Sequence, residues 1–311
     1  MMIVQVLAVL AVLALPQEGP VSLEAVLARA ADHVAALRQK APVVVARESS
    51  LQVLLTYGST RSDLMASGAP LGQMGDPKSR TLQSEYLMMA PAGSPAWRAF
   101  RDVFQIDSKA LRPERDRLRK GLEAGDGAGI ESARQLTVES LRHDLATTPH
   151  DLDVPMFPLA FVEREQQKGV AFEKKGEKTV EGVKVWVVAF RETAPPLATL
   201  GDGTPQPSRG EFYIDPASGV VVRTHLVFDG SEAYAASRTH AGGGRWVGGQ
   251  TLPTGRLGDV VLVTIDVLYK KDVKLDVWLP AEMKEQYNRR DEVVNVTAKY
   301  SDYAAVAANA K

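Results

Sequence analysis

The chain has 311 residues, of which 45% are hydrophobic and 24% charged, and its formal net charge is −1. This balance is typical of a globular protein with a sizeable core, and it excludes a strongly basic nucleic-acid-binding protein. Cysteine is absent, which excludes a disulfide framework, thiol catalysis, a cysteine zinc site and a lipid-modified N-terminal cysteine.

The first seventeen residues carry no charge, and only Gln5 interrupts their apolar run from Ile3 to Leu15. Such a run, in which Val12-Leu13-Ala14 offers a small-residue cleavage site, is typical of an export signal and is short for a membrane span. We therefore predict a signal peptide at 1–17 and a mature chain that is periplasmic or secreted from a bacterium. The segment lacks the usual Lys or Arg, so an uncleaved anchor is the alternative. After this segment the sequence contains no run of 18 apolar residues, so no membrane span is predicted once the signal is removed.

The next part of the chain, 18–165, combines helical and strand patterns. Ser22 is a suitable N-cap for a helix whose apolar residues recur with helical spacing up to Leu37, and Pro42 follows it. Further helices are predicted in segments 113–122, 130–145 and 155–164. Strands are predicted at Val43–Val45, Leu51–Tyr57, Thr81–Met89 and Trp97–Ile106, with the polar run 47–50 separating the first two.

From Val170 onward the apolar residues alternate with polar ones, and the segments are joined by short turns. Such turns leave no room for crossover helices, so antiparallel pairing is expected. The sequence therefore predicts an α+β fold with a curved, half-barrel-like antiparallel sheet and helices packed on one face. We expect a single domain over 18–303, helix-rich at 18–165 and a β-meander at 166–303, with a frayed tail at 304–311.

The segment Gly210–Val220 reads as a strand, the turn Asp-Pro-x-x-Gly and a second strand, and a long meander follows it up to Tyr303. This arrangement resembles the sheet of the LolA/LolB-like periplasmic lipoprotein-carrier fold. The resemblance implies a concave apolar face that holds an acyl chain, and it transfers no catalytic residue. The segments Trp97–Asp107 and Leu279–Tyr287 also resemble those of a group of exported bacterial proteins with no assigned activity.

Motifs for catalysis are absent from the sequence. It contains no Gly-x-Ser-x-Gly elbow, no Ser-x-x-Lys and no His-Glu-x-x-His. The densest set of metal-ligand residue types comprises His143, Asp144, His150, Asp151 and Asp153. Metal ligands usually come from separate elements, so we interpret this set as a solvated loop with a helix cap. No catalytic residue, metal or cofactor is predicted.

Candidate ligand-binding residues lie on the predicted strands. Arg223 and His225 share one face of their strand, where a cation beside an imidazole suits a carboxylate or phosphate at the mouth of a half-barrel. The alternative is a solvated strand face with cross-strand charge pairs. Four aromatic residues are expected either to line an acyl pocket or to pack in the hydrophobic core: Trp186, Phe190, Trp278 and Tyr300. Trp246, in a glycine-rich loop, is a candidate lid.

These observations predict an extracytoplasmic, non-catalytic binding or carrier protein for an apolar or lipid-like ligand, such as a lipid or a lipidated peptide. The first alternative is an envelope protein–protein interaction module without a pocket, whose partner is another envelope protein. The second is a hydrolase with a site around His225 or the His143–Asp153 set. No nucleic-acid partner is expected.

Overall fold

A computed structural model of the protein describes residues 21–56, 75–124, 129–145, 154–199, 205–229, 260–289 and 292–306. Within these ranges the α-helices are α1 (Leu23–Lys40), α2 (Arg117–Glu123) and α3 (Gly129–Ser140). Three 3₁₀ helices cover Leu141–His143, Phe157–Val162 and Gln166–Gly169. The thirteen described strands are β1 (Val43–Thr56), β2 (Lys78–Met89), β3 (Arg98–Ile106), β4 (Lys109–Ala110), β5 (Val170–Val180), β6 (Val183–Glu192), β7 (Ala198–Thr199), β8 (Pro205–Gln206), β9 (Ser208–Ile214), β10 (Val221–Asp229), β11 (Val260–Asp272), β12 (Val277–Arg289) and β13 (Glu292–Ala305).

Eleven of these strands form one open antiparallel sheet in the order β4-β3-β2-β1-β13-β12-β11-β10-β9-β6-β5, and β7 pairs separately with β8. Near the middle of the sheet, β1 pairs with β13 from Val44↔Ala305 to Thr56↔Glu292. This pairing joins the N-terminal strands to the C-terminal meander. The predicted fold class, a curved antiparallel sheet with helices, is confirmed.

Helix α1 forms because its apolar residues return every three or four positions, and Ser22 caps it by accepting a hydrogen bond from the Ala25 amide at 3.2 Å. Its apolar stripe packs on the face of the sheet that carries Phe212, Val267 and Met283, here called the inner face. The 3₁₀ helix Phe157–Val162 fills the space beside α1, and all six of its residues are buried. The core therefore lies between the inner face, α1 and this 3₁₀ helix.

The predicted hairpin at Gly210–Val220 is present as β9 and β10, and its turn lies against α1. The Arg29 guanidinium donates to the Pro216 carbonyl at 2.6 Å. Gly219 has a φ of +77°, and a Cβ at this position would lie 2.3 Å from the Arg29 carbonyl carbon. Only glycine suits both the backbone angle and this close approach.

Helix α2 packs against the opposite side of the sheet, here called the outer face, at β1, β2 and β3. It contributes Leu118 to a second apolar cluster that includes Val43, Leu87 and Phe100. Glu85 on β2 accepts hydrogen bonds from the amides of Leu118 and Arg119 at 2.7 and 3.3 Å. This carboxylate satisfies first-turn amide groups of α2, which have no partner within the helix.

Helix α3 covers the free edge of β3. Strand β4 pairs only with Gln105 and Ile106, so none of the described strands neighbours the preceding part of β3 on that side. Two hydroxyl groups of α3 take the place of a strand: Thr137 Oγ1 accepts from the Arg101 amide at 3.0 Å, and Ser140 Oγ accepts from the Val103 amide at 2.9 Å. An open edge thereby becomes a protected one.

Replacing Ser140 with alanine tests this edge protection. The buried Val103 amide loses its acceptor, so we expect the free energy of unfolding to fall by about 1–3 kcal/mol in urea denaturation. Ser132→Ala is the matched control, because Ser132 is exposed on the same helix. Equal stability of the Ser140→Ala and Ser132→Ala variants would contradict a protective role for the hydroxyl.

Candidate functional site

Strand β1 places a row of polar residues on the inner face of the sheet. The sequence predicts a break at 47–50, but β1 is one continuous strand through this segment. Glu48, Ser50 and Gln52 alternate with outward-facing residues and are 0–2% exposed. They continue the inward row begun by Val44 and Ala46, so the inner face changes from apolar to polar along a single strand.

The charge of Glu48 is balanced by Arg101 on β3. Arg101 reaches across β2 and donates from Nε and Nη2 to the two carboxylate oxygens at 2.8 and 2.9 Å. Its guanidinium lies 5.5 Å from the Tyr86 ring centroid, and that ring lies 5.3 Å from the ring of Tyr300. The bidentate geometry offsets part of the cost of removing two charges from water.

Three hydroxyl groups near this ion pair have no hydrogen-bond partner in the part of the chain that the structure describes. They belong to Ser50, Ser84 and Tyr300, and all three residues are buried. In the strand register Glu48 lies opposite Ser84 on one side and Tyr300 on the other. Burial, with Tyr86 and Glu48 adding to it, raises the pKa of Tyr300 well above its usual value, so this hydroxyl stays protonated.

Gln52 closes one end of the polar row. Its side-chain amide donates to Asp144, and its side-chain oxygen accepts from the Leu145 amide at 2.8 Å. These bonds hold the chain that follows α3 against the sheet.

A cavity of about 310 Å³ lies between β3 and α3, next to the polar row. Tyr86 and Arg101 belong to both the cavity wall and the ion-pair cluster. The apolar part of the wall comes from the sheet edge, from α3 and from the segments beside it: Trp97, Ala99, Phe100, Ile130, Leu141 and Val154. Ile130 and Leu141 are 46% and 39% exposed, so they form an apolar rim at the surface.

The charged groups in the described lining of the cavity are all cationic. Arg98, Arg101 and Arg134 contribute to the lining, and no acidic side chain does so among the described residues. Arg134 is held by Glu131 at 2.7 and 2.9 Å. Trp97 is 3% exposed, and its Nε1 has no hydrogen-bond partner within the described ranges, while the Arg38 guanidinium lies 5.6 Å from its ring centroid.

The predicted aromatic residues do not form one site. Phe190 is 4% exposed in the core, where its ring lies 5.0 Å from Phe161 and 4.8 Å from Phe212. Trp186 is half-buried on the same strand, with the Lys174 ammonium 3.5 Å from its ring centroid. Trp278 is half-buried on β12.

Tyr300 is the predicted residue nearest to the cavity, since it touches Tyr86 in its wall. None of the predicted ligand residues within the described ranges lines the cavity itself. Trp246, the predicted lid, lies outside the described residues.

Arg223 and His225 lie on the outer face, away from α1 and the core. Asp266 on β11 binds both: Arg223 Nη2 is 2.7 Å from Oδ1, and His225 Nδ1 is 3.1 Å from Oδ2. On the neighbouring strand β9, the Tyr213 hydroxyl donates to Glu211 at 2.8 Å. The structure therefore places these residues in a cross-strand charge network, the alternative that the sequence left open.

The pKa values in this network follow from its contacts. The hydrogen bond with Asp266 raises the pKa of His225 above its ordinary value of 6.5. Partial burial of Asp266 opposes its ionisation, but the hydrogen bonds from His225 and Arg223 outweigh it and lower the pKa of Asp266. Burial and the hydrogen bond to Glu211 raise the pKa of Tyr213 to about 12.

Of the five residues of metal-ligand type singled out in the sequence, the structure describes His143 and Asp144. The His143 carbonyl accepts a hydrogen bond from Arg80, and Asp144 binds Gln52. No group of three or more metal-ligating side chains is found within the described ranges. The remaining three, His150, Asp151 and Asp153, lie outside them.

Sequence reasoning missed the residues of the cavity. Trp97 and Arg98 fall in a segment interpreted only as a strand, and Ile130 falls in a helix whose partner was unknown. A usable signal was present, because Ile130 and Leu141 place large apolar side chains on a largely polar helical segment. Which element this helix packs against is a long-range property, and periodicity alone does not supply it.

The outer-face network gives a prediction about pH. Because the pKa of His225 is raised in the folded state, its contact with Asp266 stabilises the fold fully below pH 6.5 and is lost as the pH rises through the folded pKa. The unfolding free energy of the wild type relative to His225→Gln should therefore be larger at acidic than at alkaline pH.

Proton NMR titration measures the same effect directly. The His225 ring should titrate above 6.5, and Asp266→Asn should lower that value. Asp229→Asn is the control, because Asp229 is bound to Arg209 on the same face. An ordinary pKa for His225 in the wild type would disprove the coupling.

Comparisons with known proteins give a likeness of fold. No protein-family model matches the chain, and neither does any curated protein. An outer membrane lipoprotein-sorting protein domain from Vibrio parahaemolyticus is similar at 10% identity and a TM-score of 0.35, covering 89% of this chain and 92% of the other. A DUF1329 family protein from Desulfovibrio piger is similar at 9% identity and a TM-score of 0.33, covering 91% and 92%.

A LolA superfamily protein from Nitrosomonas europaea is similar at 9% identity and a TM-score of 0.29, covering 91% of this chain and 93% of the other. The expected resemblance to the LolA-like fold is thus present as a weak, fold-level likeness. Likenesses of this degree carry no argument about ligand or activity.

Proposed function

We propose that this chain is an extracytoplasmic, non-catalytic binding protein for an apolar or lipid-like ligand, and that the cavity between β3 and α3 is its binding site. The observation that carries the proposal is this cavity of about 310 Å³, with a largely apolar and aromatic wall and a few convergent polar groups. Its volume is at the lower end of the roughly 300–1,000 Å³ found for small-molecule sites.

The apolar rim supports the proposal. Ile130 and Leu141 are two of the few large apolar residues that the described chain exposes strongly, and both border the cavity. Scattered exposed apolar residues need no explanation, but a pair at the entrance to an apolar cavity is typical of a ligand site. An apolar ligand would cover these side chains and remove them from water.

The alternative location, between α1 and the sheet, is less suitable. The apolar inner-face residues there, such as Val188, Phe212 and Val267, are completely buried by α1 and the 3₁₀ helix Phe157–Val162. A ligand could enter only by displacing helices whose packing supplies much of the core. A pocket formed by Trp186, Phe190, Trp278 and Tyr300 would require that displacement.

The compartment in this proposal rests on the uncharged apolar run at 1–17, which favours export. Within the described part of the chain, none of the helices combines the length and apolar character that a bilayer crossing requires. A lipid or lipidated peptide is the proposed class of ligand. An envelope protein as partner stays a prediction.

Filling the cavity tests the proposal. Ala99 lines the cavity, so Ala99→Phe should occupy its volume and abolish binding of a single-chain lipid. The measurement is native mass spectrometry of the gently purified periplasmic protein, with lipid extraction from the same sample. We expect bound lipid in the wild type and its loss in the variant. Ala92→Phe, in an exposed turn, is the control.

A second variant tests the same site in case Ala99→Phe does not fold. Ile130→Ser changes only the exposed rim and should weaken binding severalfold through lost apolar contact while leaving the thermal unfolding midpoint unchanged. Leu51→Ser is matched to it, since both side chains are 46% exposed and Leu51 lies elsewhere, on β1. Wild-type protein that binds no single-chain lipid, or binding untouched by both cavity variants, would overturn the proposed site.

A further inference from the structure

We infer that the cavity between β3 and α3 takes an anionic, single-chain amphiphile, and that Arg98 binds its carboxylate or phosphate. This inference rests on the proposed function and adds the chemical class of the ligand's polar end. Its evidence is the distribution of charge and of unpaired donors around the cavity.

Arg98 differs from the other two arginines of the cavity. Arg101 is engaged by Glu48 and Arg134 by Glu131, each through two hydrogen bonds. Arg98 is exposed at the start of β3, and its side chain makes no hydrogen bond or ion pair within the described ranges. Because no acidic side chain is among the described lining residues, one positive charge of the wall remains uncompensated.

The neighbouring residue supplies a second donor without an acceptor. Trp97 Nε1 is buried and has no acceptor among the described residues, and the indole can donate a hydrogen bond but cannot accept one. A guanidinium is likewise a donor only, and its fork of N–H groups matches the oxygens of a carboxylate or phosphate. The complementary ligand group is therefore an anionic acceptor, since a neutral hydroxyl would leave the charge of Arg98 uncompensated.

The position of Arg98 gives the orientation of the ligand. Arg98 is exposed, whereas Phe100, two positions further along β3 in the same wall, is buried. The anionic end accordingly lies at the surface against Arg98, and the tail lies inside against the aromatic wall. A volume of about 310 Å³ suits one tail and is small for the two tails of a phospholipid.

The experiment compares ligands that share one tail and differ at the polar end. Isothermal titration calorimetry below the micelle concentration would use dodecanoic acid, dodecyl phosphate and dodecanol, with acetate and inorganic phosphate as tail-free probes. We expect the wild type to bind both anionic amphiphiles more tightly than dodecanol and to show no measurable binding of the tail-free anions. Affinity for the anionic ligands should fall with added salt, and affinity for dodecanol should not.

Arg98→Gln should weaken binding of dodecanoate and dodecyl phosphate about tenfold and leave dodecanol within about twofold. Arg98→Lys should restore part of the loss, because it keeps the charge without the planar fork. Arg191→Gln is the matched control: Arg191 is also exposed, lies on β6 and makes no ion pair within the described ranges. The preference between the two anionic amphiphiles in the wild type distinguishes a fatty-acid ligand from a phosphate-headed one.

The outcomes separate the two proposals. Equal binding of dodecanol and dodecanoate, unaffected by Arg98→Gln, would overturn the anionic head group and leave the apolar site intact. Strong binding of acetate or inorganic phosphate alone would identify an anion site that needs no tail. This result would also overturn the proposal that the ligand is an amphiphile. Absence of binding for all three tailed ligands would overturn the proposed function itself.

Discussion

The free edge of β3 is the constraint on which the candidate site depends. An open antiparallel sheet leaves unpaired backbone groups at its edges, and a buried amide without an acceptor is costly. The chain meets this requirement with the hydroxyl groups of Thr137 and Ser140 on α3. A helix held beside a strand edge through short side chains near its C-terminal end does not pack closely along its whole length. The cavity occupies the remaining space, so the same contact that protects the sheet also forms the site.

The inner face of the sheet divides into two regions with different physical roles. Under α1 it is a close-packed apolar core, in which rings such as those of Phe190 and Phe212 lie 4.8 Å apart. Toward β3 it becomes a buried polar row centred on the ion pair of Glu48 and Arg101. Such a pair is costly to break, since removing one partner leaves the other charge buried and unpaired. It therefore holds β1, β2 and β3 in register beside the cavity and fixes the position of Arg101 in its wall.

On the outer face, charged side chains are paired in contacts that are partly exposed to water. Asp266 holds Arg223 and His225 in partly exposed contacts, where water screens each interaction. This network contributes pH dependence more than stability. Five strands separate β10 from β3 in the sheet. This distance explains why an arginine and a histidine that look like a binding pair in the sequence are not part of the candidate site.

The sequence by itself determined the local elements and the class of fold. Helical spacing identified α1, alternation identified the meander, and the Asp-Pro-x-x-Gly segment identified the hairpin of β9 and β10, because these features depend on neighbouring residues. The same reasoning divided β1 in two, since it interpreted the polar run 47–50, which includes Glu48 and Ser50, as a separation between two strands. Only the tertiary structure supplied Arg101, 53 positions away, whose ion pair makes a charged residue acceptable inside the strand.

Tertiary structure also decided which strands meet and where each side chain points. The pairing of β1 with β13 joins the two ends of the described chain, and no local pattern specifies it. That assembly determines which face of β10 carries His225. It also determines that α3 lies across the cavity from Trp97 and Arg98. They depend on long-range register and packing, which a single sequence leaves undetermined because every strand offers two faces and every amphipathic helix fits more than one apolar surface.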